Sequence, residues 1–166
     1  MKQCLIPFLV TILMLTLVPL VGCGESERDK AAAFYKEAYS IGSEIRQATN
    51  DWNAFLQRFS QGNVTNQEIL KKSQEHTARF EALAQDLSML YAPLPLRQLK
   101  DDMASALNFG IGAFTLYKLG AETYSISCFL EADQKLLECN RLMMRVADEW
   151  DDGLAHYKIK PSEILP

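Results

Sequence analysis

The sequence predicts an all-α protein, an up-down-up-down four-helix bundle, and three observations carry that expectation. Four stretches place apolar residues at alternating steps of three and four, the spacing that gathers them on one face of an α-helix. Short breaks rich in Gly and Pro separate the stretches, and short connections make successive helices antiparallel neighbours. Residues 23–166 have a length that suits one domain with a proper core.

The first stretch runs through Ala31, Phe34, Ala38, Ile41, Ile45, Ala48, Trp52, Phe55 and Phe59. Such regularity is that of an a/d seam, as in a coiled coil, on a helix packed nearly parallel or antiparallel to its neighbours. Ser26, with Asp29 three residues later, is its expected N-cap, and Gly62 its C′ residue, free to take positive φ. The second helix opens on a capping box, Thr65-Asn66-Gln67-Glu68, in which hydroxyl and carboxylate satisfy orphan N–H groups reciprocally. Its seam is Ile69, Ser73, His76, Phe80, Leu83, Leu87 and Leu90, and Pro93 and Pro95 break it.

The third helix takes Leu96, Leu99, Met103, Ala106, Gly110, Phe114 and Tyr117. Gly110 and Gly112 each cost up to about 1 kcal/mol relative to Ala. Close helix approach explains them, with room for a ligand as the sharper reading. Gly120 is the expected stop. Ala121 and Tyr124 nevertheless extend the stripe, so the alternative is a three-helix bundle with a long, kinked last helix. The fourth stripe is Phe129, Ala132, Leu136, Cys139, Met143, Val146 and Trp150. Asp148, Glu149, Asp151 and Asp152 crowd its end, where the helix dipole disfavours negative charge. The bundle is thus expected over residues 31–157, with 158–166 as a tail holding at most one more helical turn.

Ahead of the bundle stands a secretory grammar: Lys2, an apolar run from Leu5 to Val21, then Gly22-Cys23. Leu20-Val21-Gly22-Cys23 resembles the lipobox of bacterial lipoprotein precursors. The resemblance covers the signal alone, residues 1–22 with Cys23. It implies that the Cys23 thiol becomes a diacylglyceryl thioether, that the chain is cut between Gly22 and Cys23, and that the new amine takes an acyl chain of the palmitate type. It implies further an extracytoplasmic protein anchored to a membrane of the bacterial cell envelope through Cys23, with residues 23–30 as a polar tether. Two or more acyl chains are needed for stable anchoring, since each buried CH₂ contributes about 0.8 kcal/mol. The competing reading is a plain transmembrane anchor. Against it, the run is a little short of the roughly 20 residues that span a bilayer, and it contains Pro7 and Pro19.

Setting Lys2 aside, sixteen Lys and Arg remain against the 21 Asp and Glu. This mildly acidic balance lacks the basic footprint of a nucleic-acid binder and the polybasic stripe that seeks anionic lipid. Of the four cysteines, Cys4 leaves with the signal and Cys23 is alkylated. Cys128 and Cys139, eleven residues apart on one helix, stand about 16 Å apart, too far for a disulfide. They read as small core-side thiols.

No constellation nominates a catalytic centre, and the chain is expected not to be an enzyme and to need no cofactor. His76 interrupts an apolar seam and is the single candidate for binding haem or a metal, since bundle cores do build such sites. No Glu-x-x-His pair or Cys-x-x-Cys-His accompanies it, His156 falls beyond Gly153 where a bundle site would be hard to build, and a satisfied interface histidine is the plainer reading. Asp148 to Gly153 fails as a calcium loop, with Trp150 at the third position and Ile159 where a bidentate Glu belongs. The residues therefore point to a lipid-anchored, non-enzymatic bundle with a structural or protein-interaction role and an envelope protein as partner. Off-seam apolar residues Leu56, Leu107, Ile111, Leu137, Leu142 and Met144 are candidates for a partner face. The alternative is a bundle that binds a ligand, haem or metal around His76, Met103, Met143 and the Gly110/Gly112 gap. An envelope enzyme rests on location alone.

Overall fold

A computed structural model describes residues 26–165. The signal peptide and the lipobox residues Gly22 and Cys23 lie outside them. Helix α1 is Glu27–Ser60, α2 Asn66–Met89, α3 Arg97–Thr123 and α4 Ile126–Tyr157, with 3₁₀ turns at Leu94–Leu96 and Pro161–Glu163. The four form an antiparallel bundle in which α3 lies close against both α2 and α4, while α1 stands further off its two neighbours.

Local chemistry sets the ends. The Asp29 N–H donates to Ser26 Oγ at 3.1 Å, and the acidic Glu27 and Asp29 suit the positive helix start. The first turn of α1 thus takes in Glu27 to Lys30, which the sequence assigned to the tether. At the other end Gly62 takes φ 74°. Its N–H donates to the Phe59 carbonyl at 2.9 Å and that of Asn63 to Arg58 at 3.1 Å, a Schellman stop. The capping box on α2 closes as expected, Thr65 N–H to Glu68 Oε2 at 2.8 Å and Glu68 N–H to Thr65 Oγ1 at 3.3 Å. The Thr65 N–H, and then the Thr65 hydroxyl that donates to the same oxygen at 2.9 Å, hold the Glu68 carboxyl below the usual carboxylate range.

Gly120 is not the stop that the sequence suggests. Helix α3 runs one turn further, to Thr123, and Tyr124 makes the break at φ 56°. Ser125 then caps a new helix, so α3 and α4 are separate and the fused three-helix alternative falls. Gly120 instead makes room for the Phe129 ring, which would lie 2.9 Å from a Cβ at that position. Gly110 does the same for Phe80: a methyl there would meet the ring edge. Close approach, not a ligand gap, is what these glycines serve. Their smallness, with Ala106, Ala113 and Ala121, is what lets α3 sit so near its neighbours.

Large rings fill the wider space around α1. Trp52 is fully buried and packs on Phe55, Phe114 and Tyr117 with centroids 4.7–5.2 Å apart. Phe114 passes the contact on to Phe80 at 5.0 Å. Truncating such a ring to Ala costs about 3–5 kcal/mol, so this cluster holds α1 to the rest. The last stretch is docked, not loose: Ile159 and Ile164 are buried, and Arg28 pairs with Glu163 at 2.6 Å. Among the described residues, no helix is long and apolar enough to cross a membrane.

Candidate interaction surface

Helix α4 carries two stripes. Ala132, Leu136, Cys139, Leu142 and Val146 face the core, while Ile126, Leu130, Leu137 and Met144 are exposed. At about 100° per residue these four fall within one narrow sector opposite the buried one. The six off-seam residues divide accordingly. Leu107 and Leu142 are buried, Leu56 and Ile111 half-buried, and Leu137 and Met144 exposed.

The exposed stripe runs into a groove between α1 and α4. Two adjoining hollows of about 270 and 350 Å³ share Arg46, Met143 and Ala147 as walls. Small side chains make the space: Ala38, Gly42 and Ser43 on α1 face Val146 and Trp150 on α4, with Met103 of α3 as the floor. Met144 lines the second hollow, joining stripe and groove into one surface.

On the other side of α4, against α3, lies an ion pair that the seam pattern alone does not announce. Asp102 of α3 is buried, and its carboxylate accepts two hydrogen bonds from the Arg145 guanidinium of α4 and one from Gln98 Nε2 at 3.0 Å. Bonding to Asp102 raises Arg145 above its ordinary range, while burial, then the Asp102 charge, push the Glu149 carboxyl up. A signal was present, since Asp102 stands three after Leu99 and four before Ala106, both on the seam. Tyr117 likewise donates across to Asp133 of α4.

His76, the candidate ligand for haem or metal, is engaged. Its Nδ1 lies 3.1 Å from the Lys72 carbonyl and its Nε2 3.1 Å from the Ala48 carbonyl of α1. A neutral imidazole has one N–H, so it donates to one of these and merely touches the other. Neither nitrogen faces open space where an iron could sit. Burial, then the Lys72 charge, hold the ring below its ordinary pKa. Trp52 and Phe114 pack on it at 5.3 and 5.1 Å. Met103 and Met143 line the α1–α4 groove instead, so the structure does not bring them together with His76. His156 ends α4, edge-on to Tyr157 at 4.9 Å.

Cys128 and Cys139 are free thiols on α4. Burial pushes Cys139 up to about 11. Asp148, Asp151 and Asp152 are exposed on one helix rather than wrapped in a loop. Among the described residues, no three His, Cys, Asp or Glu gather where they would hold a metal ion.

No protein family matches the chain, and no curated protein or solved structure is significantly similar to it.

Proposed function

We propose that this protein is a lipid-anchored, non-enzymatic bundle of the bacterial cell envelope, with a structural or protein-interaction role. The anchor is Cys23, lipidated after cleavage at Gly22-Cys23, and membrane lipid is the first partner. The second is another envelope protein, which meets the outer face of α4. The single observation that carries the interaction role is the exposed stripe Ile126, Leu130, Leu137 and Met144, continuous with the α1–α4 groove. Large apolar side chains exposed in a row on one helix face, with polar residues between and around them, mark an interaction site.

The test is intact mass and fractionation of wild type beside Cys23→Ser in a bacterial host. The expected product starts at Cys23, carries the mass of a diacylglyceryl group and leaves the membrane only with detergent. A soluble or unmodified chain overturns the anchor. Crosslinking from a photoreactive residue placed at 137 in intact envelopes then reads the partner, and it should be lost when Leu130 and Met144 are changed to Ser.

A further inference from the structure

A second apolar surface sits at the end of the bundle where α1 begins. The α2–α3 connection folds back on itself so that its side chains divide cleanly. Ala92, Pro93 and Leu96 are buried, whereas Met89, Tyr91 and Leu94 are 70%, 62% and 72% exposed. The connection is held stiffly. Lys100 Nζ donates to the carbonyls of Ser88 at 3.1 Å and Leu90 at 2.6 Å, and two prolines fix the backbone at Pro93 and Pro95. Met89, Leu90 and Tyr91 share a cleft with Ala33, Phe34 and Glu37, in the first three turns of α1. The last residues join the same end, with Leu165 45% exposed beside the Arg28–Glu163 pair. The result is an apolar lobe, rigidly presented, that no described residue covers.

We infer that this lobe rests on the lipid surface, as a second and non-covalent membrane contact. This rests on the reading that Cys23 is lipidated. Only three residue steps separate Cys23 from the N-cap Ser26, and a chain reaches at most about 3.5 Å per residue. The start of α1 therefore stands within roughly 10 Å of the headgroups, and the lobe stands beside it. At this end Arg28 pairs with Glu163 and Lys30 with Glu27, while Arg97, Lys158 and Lys160 are exposed and add positive charge that favours anionic headgroups. The attraction of the lobe itself is apolar, with the Tyr91 ring suited to the headgroup level. Two separated contacts fix the orientation of the bundle, which a lipid anchor alone would leave free, and they turn the groove and the outer face of α4 to the side.

The experiment uses the full chain, made and processed in bacteria. Cys128→Ser removes the more accessible native thiol, and Cys139 is buried and protonated at neutral pH. Tyr91→Cys or Leu94→Cys then takes an environment-sensitive dye. Both positions are exposed, so neither change disturbs packing. Asn63→Cys, at the opposite end, is the reference. In phosphatidylcholine vesicles carrying a nitroxide lipid, the dye at residue 91 or 94 loses most of its emission, and that at 63 keeps it. The quenching survives high salt, as an apolar contact requires. Equal emission from both ends, on protein whose mass confirms acylated Cys23, overturns the lobe contact and leaves the anchor standing. An unacylated Cys23 overturns both. A dye at 91 exposed in vesicles but shielded in native envelope fragments assigns the lobe to a protein, and also overturns the inference.

Discussion

Two glycines two residues apart on α3 should respond to the same substitution with opposite signs. Replacing Gly by Ala within a helix gains about 1 kcal/mol from backbone entropy and propensity. At Gly112 the nearest neighbour of the new methyl is the flexible Lys135 chain, with Cδ at 3.1 Å, which swings away. Gly112→Ala should therefore stabilise by about 0.5–1 kcal/mol. At Gly110 the methyl meets the edge of Phe80, a fully buried ring backed by Phe114 at 5.0 Å, which is itself backed by Trp52. The ring cannot retreat without moving the next, and such overpacking costs about 1–3 kcal/mol. Net of the propensity gain, Gly110→Ala should destabilise by about 1 kcal/mol, giving a gap of roughly 2 kcal/mol between the two variants. Urea unfolding followed by far-ultraviolet circular dichroism measures it, and melting temperatures should differ by several degrees. A double-mutant cycle locates the cause: Phe80→Leu should remove most of the Gly110→Ala penalty. If both alanines stabilise equally, or if Phe80→Leu leaves the penalty intact, the close packing of α2 on α3 is wrong.

Three further outcomes follow from the buried groups. Burial raises the hydroxyls of Tyr35 and Tyr117 above 10.0, so their folded form disfavours ionisation. The stability they contribute is whole below about pH 10 and lost above it, and two tyrosines should titrate late in ultraviolet absorbance until the chain unfolds. His76 is held below 6.5, so the unfolded chain binds more protons in mild acid. Stability should fall as pH drops through 6.5, and His76→Gln should flatten that slope in melts between pH 7 and 5. Cys139, at about 11 and buried, should resist iodoacetamide in the native protein. Peptide mapping should find alkylation at Cys128 alone until denaturant is added, and a Cys139 that reacts at once would refute its burial.

The sequence was legible where structure is local or strictly periodic. Ser26, Thr65 with Glu68, and Gly62 do what their chemistry dictates over three or four residues. The α1 seam is buried from Ala31 to Phe55 and half-buried at Phe59, as its three-four rhythm requires. What needed a neighbouring helix was not legible. Gly120 reads as a terminator in one dimension and proves to be the gap into which Phe129 fits. Asp102 falls at seam spacing, but the partner that lets a carboxylate be buried there, Arg145, lies on another helix. Leu137 and Met144 stood out as off the seam, but Ile126 and Leu130 joined their stripe only once α4 was known to begin at Ile126. The exposed sides of Met89, Tyr91 and Leu94 depend on which face of the connection Pro93 buries.

The placement of the two tryptophans gives the protein an optical reporter with its own internal reference. Trp52 is sealed among rings, whereas Trp150 is half-buried, lines the α1–α4 groove and lies 6.3 Å from the Tyr39 ring. Anything that enters the groove changes the surroundings of Trp150 and leaves those of Trp52 as they were. A red-edge change in emission without loss of the blue component thus separates occupancy of the groove from loosening of the bundle, in one spectrum and without a label.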